Sequence, residues 1–149
     1  MFAFTTKEQS QSTFEDFVEI QKNLFNELQL HFKVLDMPPL ELGLPAARKI
    51  DCECWLPGRN SWGEMSSSSN CLDYQSRRLN IKYKTLSLNE ETNEIFKHDF
   101  VHTVNGTGCA SPRILIAICE NYQTKDGFVK IPQFLREFMN GQEFLKQKC

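Results

Sequence analysis

Arg48–Pro57 reads RKIDCECWLP, and its alternation decides what kind of fold the chain can adopt. Ile50, Cys52 and Cys54 fall on one side of an extended segment and Asp51, Glu53 and Trp55 on the other, because successive side chains of a strand point to opposite faces. One face is apolar, and the other carries two carboxylates and an indole. A strand of that kind belongs to an antiparallel sheet with one face on a core and the other open for chemistry.

The neighbouring segments extend this sheet. Upstream, HFKVLDM (31–37) reads as a strand stopped by Pro38 and Pro39. Before it, Phe14, Phe17, Val18, Leu24, Phe25 and Leu28 recur at helical spacing and predict a core-facing helix over residues 13–29, opened by a capping box of Ser12 and Glu15. MFAF (1–4) reads as a short strand. Downstream lies GEMSSSSNCLDYQSRR (63–78). Serine runs are usually flexible linkers, but residues 63–70 lack a linker's Gly and Pro content and lead into Gln75, Arg77 and Arg78. They are therefore expected to form a loop folded back on the sheet. Leu79, Ile81 and Tyr83 alternate as a further strand, SLNEETNEIFKHD (87–99) reads as a polar connection forming a hairpin, and FVHTVNGTG (100–108) as one more strand ending in a glycine-bearing bend. ASPRILIAICENYQ (110–123) predicts a helix with Ser111 as N-cap and Pro112 at its first position, apolar on nearly every side and hence buried. KDGFVKIPQFLREFM (125–139) predicts a turn at Asp126-Gly127, a short strand, and a closing helix begun near Pro132. The sum is an α+β fold, an antiparallel sheet flanked by helices.

Composition narrows the function. With 149 residues, 40% hydrophobic and 24% charged, the chain is long enough for one globular domain with a core. A net charge of -2 gives no electrostatic footprint for nucleic acid, so any RNA contact must be local or made outside this chain. No stretch is long and apolar enough to span a bilayer. The six cysteines, at 52, 54, 71, 109, 119 and 149, show no C-x-x-C spacing and are expected to be reduced thiols packed as small apolar groups, without a zinc site or disulfide framework. MFAFTTKEQSQ (1–11) has neither the Arg-rich face of a transit peptide nor a signal-type apolar core. His31, His98 and His102 have no G-x-S-x-G elbow to serve, which leaves a serine hydrolase without support.

Two features point to a ligand. Arg113 falls in the first turn of its helix, where the dipole disfavours a cation unless an anion lies between. Its partner is either a bound phosphate or carboxylate, or a protein carboxylate such as Glu120 or Glu64. Glu64 and Ser67 offer hard oxygen ligands suited to a magnesium ion that keeps several waters and bridges substrate phosphates. Together they suggest a nucleoside triphosphate site on an antiparallel sheet.

DCECWLPGRNSWGEMSSSSNCLDYQSRRLNIKY (51–83) and HTVNGTGCASPRILIAICENYQTKDGFVKIPQFLREFM (102–139) resemble the C-terminal half of the catalytic domain of the seryl-tRNA synthetases, which are class II aminoacyl-tRNA synthetases. ELGLPAARKIDCECWLPGR (41–59) is most similar to the animal mitochondrial form. NGTGCASPR (105–113) with the helix that follows it resembles class II motif 3, and MFAF the tail of the second strand of motif 2. The resemblance implies that residues 1–149 run from the end of the motif 2 strand through motif 3. It implies that Glu64 and Ser67 hold the ATP-bound magnesium, that the backbone around Met65 and Ser66 lines the nucleotide, and that Arg113 binds the outer phosphates as the catalytic cation. Thr107, with Asn105 beside it, would receive the serine side chain. ATP and Mg2+ are the implied cofactors, and serine and tRNA(Ser) the implied partners. A homodimer is implied when the enzyme is complete, with location in the mitochondrial matrix or otherwise the cytoplasm.

The family's coiled-coil arm, motif 1, the motif 2 loop with its arginine and the threonine-glutamate recognition loop have no counterpart in these residues, so the chain is expected to be a fragment, inactive alone. A different class of reading is a non-catalytic synthetase-like protein used for dimerisation or RNA binding. Retention of Glu64, Ser67, Thr107 and Arg113 favours the enzyme lineage, since a purely structural descendant needs none of these polar groups.

Overall fold

The computed structural model describes residues 1–87 and 95–146. Its strands are β1 (Phe2–Thr5), β2 (Phe32–Asp36), β3 (Arg48–Leu56), β4 (Ser61–Asn70), β5 (Lys82–Ser87), β6 (Ile95–Phe100), β7 (His102–Gly106), β8 (Val129–Lys130) and β9 (Phe144–Leu145). The helices are α1 (Ser10–Glu27), α2 (Tyr74–Leu79), α3 (Ser111–Tyr122) and α4 (Gln133–Arg136). β1-β7-β4-β3-β2 form one five-stranded sheet in that order, every neighbouring pair antiparallel. β5 pairs with β6, and β8 with β9.

The alternation of Arg48–Pro57 holds. Cys52 and Cys54 are fully buried in a cluster with Phe25, Leu28 and Leu30 from α1 and its C-terminal end, and with Ile114, Ala117 and Ile118 from α3. Phe14 and Val18 meet Val104 in a second cluster. Both long helices thus cover the same sheet face, and Asp51, Glu53 and Trp55 stand on the opposite one. Burial pushes the Cys54 thiol up to about 12 and that of Cys52 up to about 11, as a core setting does to a thiolate. Cys71 is also buried, whereas Cys109 is exposed, so the expectation of packed thiols fails there; Cys149 lies outside the described residues.

Four local expectations are corrected. The serine run is no loop but the central strand β4. Ser66 and Ser68 are buried, and their small side chains let the buried face of α1 lie close. α1 starts at Ser10 rather than 13 and uses no side-chain cap; Ser12 Oγ donates instead to the Gln9 carbonyl at 3.0 Å. Leu79 ends α2, a helix in which Ser76 Oγ reaches the Val101 carbonyl, so the following strand begins only at Lys82. Of residues 87–99, read as connection, Ile95–Asp99 belong instead to strand β6, although its antiparallel pairing with β5 agrees with the expected hairpin, and 88–94 lie outside the described residues.

α3 departs from expectation twice. Its N-terminal flank is Ala110, whose carbonyl accepts from Ile114 N at 3.0 Å, and Ser111 is already helical. Nor is it buried all round: Leu115 and Ile116 are 57% and 50% exposed, because only the face bearing Ile114, Ala117 and Ile118 meets the sheet. The turn at Asp126-Gly127 forms as expected, with Gly127 at φ +78, a conformation glycine adopts without strain.

Candidate functional site

The open face gains its chemistry from an irregularity between β3 and β4. Cys52 pairs with Ser66 and Glu53 with Glu64, which leaves Met65 as one extra residue on β4. In a regular strand, residues three apart point to opposite faces. The bulge cancels that rule. Glu64 lies opposite Glu53 and Ser67 opposite Asp51, and since Asp51 and Glu53 share a face, Glu64 and Ser67 share it too. Met65 and Ser66 both turn inward, 2% and 1% exposed, so only their backbone can line a ligand.

Arg113, on the first turn of α3, faces the start of β4. Its guanidinium donates to the Glu64 carbonyl at 3.0 Å and stands 3.5 Å from the Glu64 carboxylate. Of the protein carboxylates considered for it, Glu64 is the partner; Glu120 instead accepts from Gly58 N at 2.9 Å. The two side chains are 56% and 38% exposed, so the pair adds little stability and its members remain available. They line a cleft of about 320 Å³ with Leu56, Arg59, Trp62 and Ile116.

The oxygens on this face suit a magnesium ion. Asp51, across from Ser67, is 5% exposed, and one of its carboxylate oxygens is buried without a hydrogen-bond partner. Its other oxygen meets Lys49 Nζ at 2.7 Å. Burial pushes the Asp51 carboxyl above its ordinary value, opposed by Lys49 and reinforced by Glu64 and Glu53. Among the described residues no group of three His, Cys, Asp or Glu closes into a cage. A carboxylate, a hydroxyl and a spare buried oxygen fit a cation that keeps water and takes substrate oxygens.

Ser67 is joined to Thr107 through Gln21, a residue that the sequence reading passed over. Gln21 is fully buried on α1. Its amide donates to the Ser67 carbonyl at 2.9 Å and the Thr107 carbonyl at 2.8 Å. Thr107 N adds a bond to Ser67 O at 2.8 Å, and Ser66 Oγ donates to the Thr107 carbonyl. The signal was available in the sequence, because Phe14, Val18, Gln21, Phe25 and Leu28 hold one helical stripe and Gln21 is its one polar member. With its backbone so held, Thr107 presents a hydroxyl that has no partner among the described residues.

Asn105 lies elsewhere. It is opposite Ser69, donates to Cys71 Sγ at 3.5 Å, and lines a separate cavity of about 340 Å³ with Lys49, Ser69 and Gln75. Glu64, Met65 and Arg113 thus border one cleft and Asn105 another, with Ser67 and Thr107 linked by Gln21.

An antiparallel sheet with helices on one face, an acid and a hydroxyl brought together by a bulge, and an arginine at the start of the last long helix describe a class II synthetase core. The chain belongs to that family: the tRNA synthetase class II core domain (G, H, P, S and T) matches residues 1–122. Within it the similarity is to serine–tRNA ligases, as the sequence resemblance implied. The chain is 52% identical over 132 residues to the mitochondrial serine–tRNA ligase of Bos taurus, covering 89% of this chain and 24% of that protein. It is 47% identical over 137 residues to the serine–tRNA ligase of Treponema denticola, covering 91% of this chain and 31% of that one. The crystal structure of seryl-tRNA synthetase from Pyrococcus horikoshii complexed with ATP superposes with a TM-score of 0.86 at 34% identity, over 99% of this chain and 31% of that chain. The chain therefore spans about a quarter to a third of the length of these relatives.

Proposed function

We propose that this chain supplies the metal, outer-phosphate and serine side-chain subsites of a serine–tRNA ligase, forming the part of its catalytic domain from the end of motif 2 through motif 3. The observation that carries the reading is the cleft in which Arg113 meets Glu64, with Ser67 brought to the same face by the bulge at Met65. In the reaction, a serine carboxylate oxygen attacks the α-phosphorus of ATP. The bond from that phosphorus to the bridging oxygen of the β-phosphate breaks, and pyrophosphate leaves with the electron pair, giving seryl-adenylate. The 3'-terminal ribose hydroxyl of tRNA(Ser) then attacks the acyl carbon and AMP leaves.

No side chain of this site acts as a nucleophile; the work is alignment and charge stabilisation. Glu64 and Ser67 would hold magnesium, which when bound neutralises phosphate charge. Arg113 turns from Glu64 to the outer phosphates, its guanidinium suited to phosphate oxygens. Thr107 directs its unpartnered hydroxyl to that of serine; Asn105, which lines a separate cavity with Ser69 and Gln75, has no part in that pocket. Location in the mitochondrial matrix is favoured by the bovine and murine mitochondrial relatives, 52% and 51% identical. The complete enzyme is read as a homodimer.

Serine-dependent ATP–pyrophosphate exchange tests the reading. The 149-residue chain, which spans 24% of the bovine relative, should sit at background, because the resemblance implies that the other half of the phosphate and serine clamp lies outside these residues, and exchange should appear when the chain is extended to that relative's length. Robust exchange by the short chain, or exchange driven by another amino acid in the extended one, refutes it. In the extended enzyme Thr107→Val removes the hydroxyl at nearly constant shape. The preference for serine over alanine should then narrow by about tenfold or more, since a site built to bond a hydroxyl discriminates through it. An unchanged ratio of kcat/KM values would remove Thr107 from the serine pocket.

A further inference from the structure

We propose that Arg59 is a second phosphate-binding cation of the Glu64–Arg113 cleft, placed to hold the terminal phosphates of the bound nucleotide and then the departing pyrophosphate. This rests on the reading of the cleft as an outer-phosphate site. Arg59 sits in the turn between β3 and β4, which is closed by Arg59 N to Leu56 O and Asn60 N to Pro57 O, both at 3.2 Å, with Asn60 at φ 50.

The turn is fastened to the helix that carries Arg113. Gly58 N donates to Glu120 on α3 at 2.9 Å, and a Cβ at position 58 would lie 3.2 Å from the same carboxylate. Asn121 Nδ2 adds a bond to the Trp55 carbonyl at 3.0 Å. Arg59 and Arg113 are therefore mounted on one frame, at the two ends of the α3 surface that borders the cleft.

Charge then singles out Arg59. Arg48 pairs with Asp36, Arg77 with Asp73, Arg113 with Glu64 and Arg136 with Glu143, while Arg78 donates to the Tyr74 carbonyl. Among the described residues, Arg59 is the one arginine whose guanidinium meets no acceptor. It nonetheless lines the cleft, beside Trp62, Ile116 and Leu56. Two guanidiniums face one carboxylate there, and once Glu64 serves a metal the imbalance grows. A magnesium-bound triphosphate still carries net negative charge, and guanidinium forks match its oxygens. The apolar wall strengthens that attraction by thinning the water around it.

The test is calorimetric titration of the 149-residue chain with tripolyphosphate and with pyrophosphate in magnesium buffer, for wild type, Arg59→Ala, Arg59→Lys and Arg113→Ala. Arg59→Ala should weaken both ligands by roughly five- to tenfold, with a shallower salt dependence, as loss of one exposed charge-assisted contact does. Arg59→Lys, which keeps the charge and loses the fork, should fall between. Thermal unfolding should not move, since the side chain is exposed and unpartnered. If Arg113→Ala loses affinity while Arg59→Ala binds like wild type, Arg59 is a solvated surface cation and this proposal alone fails. If the wild-type chain binds neither polyphosphate, the outer-phosphate reading of the cleft fails and takes Arg59 with it.

Discussion

Replacing Glu64 by glutamine should lower serine-dependent ATP–pyrophosphate exchange by roughly a hundredfold in the chain extended to its relatives' length, equivalent to about 2.7 kcal/mol at the transition state. On the proposed reading the loss falls on the chemical step, where charge develops on the phosphates and one anionic ligand of the magnesium would have gone. Raising magnesium should recover part of the rate. Without magnesium the sign should invert. Glu64 then stands 3.5 Å from Arg113 as a competitor for its charge, so tripolyphosphate should bind the variant a few-fold more tightly than the wild type, a modest gain because the pair is exposed. Folding should hardly change, since the bond from Arg113 to position 64 at 3.0 Å uses the main-chain carbonyl, which the substitution keeps. Superimposable magnesium curves for the two proteins would return the serine-rich strand to a purely structural role.

Gln21→Glu should produce the largest effect on stability, about 3 kcal/mol near neutral pH. Gln21 is fully buried, and its amide donates to two carbonyls. A carboxylate in its place has nothing to donate and sets a buried charge against those oxygens. Burial of this kind raises a carboxyl's folded-state pKa above its unfolded value. The folded variant is then favoured while the group is protonated, and stability falls as pH rises through the folded pKa. Thermal unfolding of Gln21→Glu should therefore approach that of wild type in acid and drop toward neutrality. Gln21→Leu should lose less, about 1–2 kcal/mol and without the pH trend, because Thr107 N still serves the Ser67 carbonyl and Ser66 Oγ the Thr107 carbonyl. Equal melting of Gln21→Glu and wild type at neutral pH would show that the donated bonds do not hold these segments.

The parts of the fold legible in the sequence were those written in apolar periodicity. The alternation about Cys52 and Cys54 marked β3, and the stripe from Phe14 to Leu28 marked α1. β4 was not legible as a strand, because four consecutive serines show no apolar alternation and its buried positions 66 and 68 are hydroxyls rather than hydrocarbons. The exposure of Leu115 and Ile116 was hidden for the opposite reason: an apolar sequence does not state how many sides of a helix meet a partner. In the site, dipole physics required an anion for Arg113 but left a bound phosphate or carboxylate, Glu120 and Glu64 all open; the fold brings it to Glu64. Gln21 was missed although it interrupts an apolar stripe, and Arg59 because its meaning depends on which other arginines are already paired, a property of the folded chain.

The extra residue at Met65 acts as a phase slip in a two-beat pattern. A strand is a tape read alternately by two audiences, the interior and the solvent, and one unpaired residue swaps the readers for everything beyond it. Upstream of the slip the even positions 62 and 64 address the open side; downstream it is the odd positions 67 and 69. The separation of Glu64 from Ser67 is therefore fixed by parity rather than by distance along the chain. Variation in length within β4 is constrained far more tightly than variation in residue type, since losing one position would send either the acid or the hydroxyl to the wrong reader.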